Sequence, residues 1–298
     1  MRESTKGIMA MVATCTVWGL SGIYYKLLDH IPPIEILAHR TLWSFFFFAL
    51  VLLVQGRISV LGQALGARRS LVLIGFAALM ISTNWFVFIT SIQIGKAVEA
   101  SLGYYIFPLV AVLLGAVAFR ERLGKAQLFA VCLAATAVIT LTIGLGVPPW
   151  IALVLASTFG LYGLVKKGLP LGPVVSVTAE VLILSPIALT VLWWFHSGGR
   201  GAFGTNWQDS LLLAFSGILT ATPLIMFSYA TKRITLATVG LVQYLNPSLQ
   251  ALVAVMVFRE VFSLWHAIAF AMIWTALTIY TAASWRQDRA ARRAIVNS

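Results

Sequence analysis

Few side chains in this sequence can carry a charge, and several of those that can stand inside long apolar runs. Glu35, His39 and Arg40 fall within the run 34–54, and the i, i+4 spacing of Glu35 and His39 sets them on one helix face. Glu180 falls within the run 174–195. Ionisable groups in a hydrocarbon-spanning segment are expensive and mark ion or substrate pathways by default. His39, Arg40 and Glu180 are therefore candidates for a proton or charge site, with His39 and Glu180 as the titrating groups, and Arg40 is the one residue that keeps sugar phosphates or nucleotide sugars open as cargo. The rival expectation for Glu35 and Arg40 is that their side chains reach back to water from near the end of the run. Glu99, beside Lys96 at the start of another run, is expected to form an interfacial pair.

The uncharged candidates gather in the same runs. Ser101, Gly103, Tyr104, Tyr105 and Pro108 share one; Gly240, Gln243, Tyr244, Asn246 and Pro247 share another. A proline inside a helix removes a backbone hydrogen bond and frees a carbonyl, so Pro108 and Pro247 are candidate hinges or simply static kinks. Further runs offer Asn84, Trp85, Phe88 and Thr90; Thr222, Pro223, Met226 and Tyr229; Trp18, Ser21 and Tyr25; and Tyr162. Aromatic walls suit an apolar ligand body, while Asn84, the tyrosine hydroxyls and freed carbonyls can hold an ammonium and a carboxylate. Any one of these polar groups can equally act as interhelical glue, worth about 0.6 kcal/mol.

The elements that must position these residues follow from composition. Of 298 residues, 60% are hydrophobic and 10% charged, with a mean hydropathy of +0.94, which excludes a soluble globular domain. Ten runs are long enough to cross about 30 Å of hydrocarbon: 7–28, 34–54, 71–94, 97–118, 125–143, 149–166, 174–195, 210–230, 235–258 and 263–284. An all-α membrane protein is expected, because helices satisfy every backbone group within lipid. The basic start with Arg2 and Lys6 is kept as the head of the first span, since no small-residue cleavage site follows it.

The formal net charge of +12 does not indicate nucleic acid, because the basic residues are scattered singly or in pairs. Sixteen of the 21 Lys and Arg fall on the side that holds both termini, which places both in the cytoplasm by the positive-inside rule. Cys15 and Cys132 stand in apolar runs, suit neither a disulfide framework nor a metal-ligand spacing, and are expected to be packing residues.

The chain also repeats itself. Pro108 to Glu121 and Pro247 to Glu260 both read P-x10-F-R-E at an offset of 139, each with a tyrosine three residues before the proline. Gly19-Leu20-Ser21-Gly22-x3-Lys26 and Gly160-Leu161-Tyr162-Gly163-x3-Lys167 match at an offset of 141. Residues 1–145 and 146–298 are thus expected to be two five-span repeats, and five being odd, the second is inverted, a device of secondary transporters. Inverted symmetry sets Glu180 at the repeat position of Arg40, toward the opposite end of the bundle and too far away to pair. Gly19, Gly22, Gly160 and Gly163 are expected to permit close helix contact. Gly19 to Gly22 also matches the G-x-S-G of rhomboid-type serine proteases with His39 as a conceivable base, but the repeat copy replaces Ser21 with Tyr162.

Glu35-Ile-Leu-Ala-His39-Arg40, Asn84-Trp85-x-x-Phe88-Ile89, Glu99-Ala-Ser-Leu-Gly-Tyr104-x-Ile-x-Pro108, Tyr162-Gly-Leu-Val-x-Lys167 and Gln243-Tyr244-x-x-Pro247 together resemble the RarD branch of the EamA family, in the drug/metabolite transporter superfamily. The resemblance runs from the first span to the last. It implies ten helices as two inverted EamA repeats, a bacterial inner-membrane location and export of small metabolites. The family includes YddG-type exporters of aromatic and other apolar amino acids, and RarD-branch members are often labelled as affecting chloramphenicol sensitivity. Its central cavity, formed by spans 1, 3, 4, 6, 8 and 9, implicates Trp18, Ser21, Asn84, Phe88, Tyr104, Tyr105, Tyr162, Met226, Tyr229, Tyr244 and Asn246. The expectation is a secondary exporter, not an enzyme, without cofactor or metal, whose partners are the lipid bilayer and a small molecule, foremost amino acids with apolar side chains. Other metabolites or drugs are the alternative cargo. A monomer is compatible with all of this, and the oligomeric state is left open. No nucleotide-binding motif points to a primary pump.

Overall fold

The computed structural model describes residues 3–119, 124–234 and 236–296, and these are all-α. The helices are α1 (Glu3–Leu27), α2 (Pro33–Val54), α3 (Ile58–Gly66), α4 (Arg68–Gln93), α5 (Ala97–Phe119), α6 (Lys125–Leu145), α7 (Trp150–Lys167), α8 (Pro173–Ser197), α9 (Trp207–Thr231), α10 (Leu236–Gln243), α11 (Leu245–Leu252) and α12 (Leu264–Val296). Ten helical stretches among the described residues are long and apolar enough to cross a membrane, with α10 and α11 together supplying one.

Local chemistry sets their ends. Pro33 and Pro173 occupy the first turns of α2 and α8, where a missing N–H is harmless and the ring presets φ. Asn206 caps α9 by accepting from Gln208 N at 2.9 Å, and Gly146 closes α6 at φ 71°, a left-handed conformation that glycine adopts freely.

The ten spans coincide with the expected runs to within a few residues at most ends, with three differences. The connection after α2 contains α3, an amphipathic helix of about two and a half turns whose one buried residue is Ala64. The basic tail after 284 continues α12 as helix. The ninth span is interrupted at Tyr244, three residues before Pro247, whose ring can neither donate to nor sit beside the preceding turn. Pro108 by contrast lies inside an unbroken α5. After α11 the chain winds as a π-helix over Val253–Val257, and Arg259 then takes φ 57°, a strained value for a residue with a side chain. Arg2 and the residues Arg120, Glu121 and Arg122 around the first F-R-E copy lie outside the described residues.

Packing is dominated by α5 on α7, α12 on α6, α2 on α8 and α9, α1 on α9, and α4 on α7, with α11 against α1 and α5. Close approaches occur where side chains are absent. A Cβ on Gly19 would stand 2.6 Å from the Leu249 Cβ of α11, and one on Gly160 would stand 3.0 Å from Leu114 of α5. Gly22 faces Ile92 and Phe258, as expected of a packing glycine, but Gly163 faces open space. The outer surface carries largely exposed side chains such as Val54, Trp193 and Trp207, the complement of a hydrocarbon surround.

Candidate substrate path

Arg40 lies eight residues into α2, about 10 Å along the helix from its first residue. It does not reach back to the surface. Its side chain is buried, Nη1 donates to the Tyr25 hydroxyl of α1 at 2.5 Å, and the guanidinium lies over the Trp85 ring of α4 with 3.9 Å to the centroid. Tyr25 begins a run of rings. Phe88 meets it edge-on at 6.0 Å, Tyr104 meets Phe88 at 5.9 Å, Phe159 meets Tyr104 at 6.0 Å, and Tyr162 stacks on Phe159 at 6.0 Å. These spacings fall within the range of favourable ring pairs. The ladder draws on α1, α4, α5 and α7, and Asn84 braces it. Asn84 Nδ2 donates to Leu155 O at 2.9 Å and Thr158 Oγ1 at 3.0 Å, while its Oδ1 accepts from the Tyr104 hydroxyl at 2.9 Å.

The far end of the ladder is also charged. The Tyr162 hydroxyl donates to Glu180 Oε2 at 3.2 Å, and Lys166 Nζ donates to Glu180 Oε1 at 2.7 Å, with Ser176 donating to the same oxygen at 3.0 Å. Glu180 is 1% exposed, so this ion pair is the compensation its charge requires inside the bundle. A line of five rings thus runs between a buried guanidinium and a buried ion pair.

Comparison with known proteins now bears on this arrangement. A profile of the EamA-like transporter family matches residues 5–143. The chain is 39% identical over 295 residues to "Uncharacterized transporter YojE" of Bacillus subtilis, covering 97% of this chain and 98% of that one. It is 40% identical over 292 residues to "Protein RarD" of Streptomyces exfoliatus, covering 98% and 92%. The chain belongs to the EamA-like transporter family. Within it, the kinship is with the RarD branch. A solved crystal structure that covers 93% of this EamA chain and 98% of its own, at 18% identity and a TM-score of 0.60, has the same fold.

The EamA structure brings together part of the set expected from sequence. Asn84, Phe88, Tyr104 and Tyr162 lie on the ladder or brace it. Tyr105, one residue and so about 100° further round α5, turns instead to α11 and α12. Its hydroxyl is 2.6 Å from Ser248 Oγ and its ring packs on Phe270 and Trp274. Tyr244 packs against the same core. Trp18 meets Phe227 of α9 at 6.0 Å, and Ser21 donates to the Trp18 carbonyl at 2.7 Å. Asn246 accepts from Gln250 Nε2 at 3.1 Å, and Met226 is half-buried in α9.

Tyr229 stands apart. It is 38% exposed near the end of α9, covered by the Arg233 guanidinium at 3.5 Å, and Arg233 in turn pairs with Glu3 at 2.9 Å. His39 stacks on Phe203 of the connection after α8, with no hydrogen bond to Ser21. Glu35 accepts from Ala202 N at 2.7 Å in that same connection. Glu99, expected beside Lys96, accepts from Ile151 N at 2.9 Å and so caps α7. Phe159, Thr158 and the Lys166 contact were missed, because nothing in a helix's own sequence says which neighbouring helix it will face.

Proposed function

We propose that this EamA transporter is a secondary exporter of the bacterial inner membrane that moves amino acids with aromatic or other apolar side chains by alternating access. The observation that carries this reading is the ring ladder from Tyr25 to Tyr162, a continuous row of apolar faces between polar groups at its two ends, which alternating access would open to an apolar solute. A solute with an apolar body suits that row of rings; a multiply charged sugar phosphate does not.

Inverted repeats at 1–145 and 146–298 are supported by the pairing of helices. Exchanging the halves turns the α1–α9 contact into α7–α4 and the α5–α7 contact into α11–α1, while α2–α8 and α6–α12 map onto themselves. Both termini are assigned to the cytoplasm from the distribution of Lys and Arg. The hinges Pro108 and Pro247 and the remaining cavity residues, Trp18, Ser21, Tyr105, Met226, Tyr229, Tyr244 and Asn246, belong to this reading as groups exposed in other states of the cycle. Export is facilitated or weakly proton-linked, with His39 and Glu180 as the titratable groups.

Uptake of labelled phenylalanine, methionine and threonine into liposomes holding the purified protein tests the proposal. Saturable uptake, competed by other apolar amino acids, is the expected result. No uptake above protein-free liposomes, from folded protein, would transfer the assignment to other metabolites or apolar drugs. Indifference to an imposed pH gradient would remove the proton link.

A further inference from the structure

We infer that Arg40 is the residue that receives the anionic group of the transported molecule, as a carboxylate held by the guanidinium at the head of the ring ladder. This rests on the export reading above and names the substrate feature that reading leaves open.

Burial of a cation inside a membrane bundle calls for a counter-charge. Arg40 is 7% exposed, and among the described residues no carboxylate lies within 4 Å of it. The two buried acids do not pair with it: Glu180 is held by Lys166, and Glu35 accepts from Ala202 N through Oε1 while its Oε2 has no hydrogen-bond partner; the half-buried Glu99 and Glu260 accept from Ile151 N and from Ala97 N and Val98 N. The repeat makes the contrast sharp. At the related position of the second half, Glu180 is neutralised from the neighbouring helix by Lys166; in the first half the residue 141 positions earlier is Tyr25, which carries no charge. The Trp85 ring offsets part of the electrostatic cost by a cation–π contact but supplies no hydrogen-bond acceptor.

Arg40 is also incompletely bonded. Nη1 is used by Tyr25, whereas Nε is buried with no hydrogen-bond partner. Nε is one of the donors that a guanidinium presents to a carboxylate in the bidentate arrangement. The Tyr25 hydroxyl, accepting from Arg40, keeps its own proton for donation to a ligand oxygen. A carboxylate at this point would restore charge balance, fill the missing hydrogen bond and leave an apolar side chain beside Phe88 and Tyr104.

The test compares three probes on the purified full-length protein: L-phenylalanine, 3-phenylpropionate, which lacks the ammonium, and L-phenylalaninamide, which lacks the carboxylate. The wild type is expected to bind the first two in competition with one another and the amide at least tenfold more weakly. Arg40→Gln should weaken phenylalanine at least tenfold and leave the amide unchanged. Arg40→Lys should keep the preference for the carboxylate at a few-fold lower affinity, and it decides the matter if Arg40→Gln does not fold. Melting temperatures accompany each variant. Equal weakening of acid and amide, or no change in either, overturns the inference.

If the wild type binds no phenylalanine, the export reading for amino acids fails separately. Thermal stabilisation by benzoate, phenyl phosphate or inorganic phosphate is then measured with and without Arg40. A shift that disappears in Arg40→Gln and survives, reduced, in Arg40→Lys keeps the anion site; no Arg40-dependent shift removes it as well.

Discussion

Glu260 caps the helix that begins at Ala97. Its Oε1 accepts from Ala97 N at 2.7 Å and its Oε2 from Val98 N at 2.8 Å, although 163 positions separate Glu260 from Ala97. Both amides belong to the first turn of α5, where no intrahelical acceptor exists and the helix dipole favours an anion. The positive φ at Arg259 turns the chain after the π-helix just before this carboxylate. Glu260→Gln retains one acceptor and no charge, so it should lower stability by about 1 kcal/mol, and Glu260→Ala by about 2 kcal/mol. Thermal unfolding of the purified variants in detergent measures both.

Gly163 supplies a probe of alternating access. Its repeat partner Gly22 packs against Ile92 and Phe258, while nothing lies within 4 Å of a Cβ on Gly163. Gly163→Val should therefore leave the melting temperature within a few degrees of wild type yet abolish transport, because the exchange of halves requires Gly163 to enter the packed arrangement that Gly22 occupies now. Transport at the wild-type rate in Gly163→Val would show that this end does not close.

The Lys166–Glu180 pair should behave as a buried ion pair, not a surface one. Lys166→Met leaves Glu180 uncompensated and is expected to cost about 3–5 kcal/mol. Adding Glu180→Gln should recover most of that loss. The two single variants and the double variant form a cycle whose coupling energy, read from unfolding, should exceed about 1 kcal/mol.

Asn84 makes three hydrogen bonds that link α4 to α5 and α7. Asn84→Ala strands the Tyr104 hydroxyl and loosens the α4–α7 contact, for a loss of about 2 kcal/mol, larger than the usual single membrane hydrogen bond. Transport by the surviving folded fraction should fall less than twofold, which identifies a brace. A loss of transport tenfold or more at unchanged melting temperature would instead give Asn84 to the substrate.

How much of this was legible follows a physical rule. Apolar runs report on the lipid face and on length, so the ten spans could be read directly. The tyrosine–proline spacing likewise carries the proposal of two repeats without any structure. Azimuth was not legible: Tyr104 and Tyr105 are adjacent, yet one joins the ladder and the other faces α12. Partners distant in sequence were hidden as well. Glu99 stands three residues after Lys96 in the sequence and caps α7 instead, and Lys166, which reads as an orientation signal at the end of a span, turns inward to Glu180. An amphipathic segment as short as α3 carries too few residues for its period to show against the neighbouring apolar runs.

The π-helix of Val253–Val257 bears on how the two halves differ. Both segments place ten residues between proline and phenylalanine, but α5 winds its ten as unbroken α-helix while the second segment spends five of its ten on turns that each hold one residue more. The two P-x10-F-R-E segments are therefore cut as threads of unequal pitch. Rewinding the π turn to α would spin Phe258 and Glu260 by roughly 100° about their axis and pull the carboxylate off the Ala97 and Val98 amides. In such a molecule the end of the ninth span lets go by unscrewing, a motion separate from any bend at the proline.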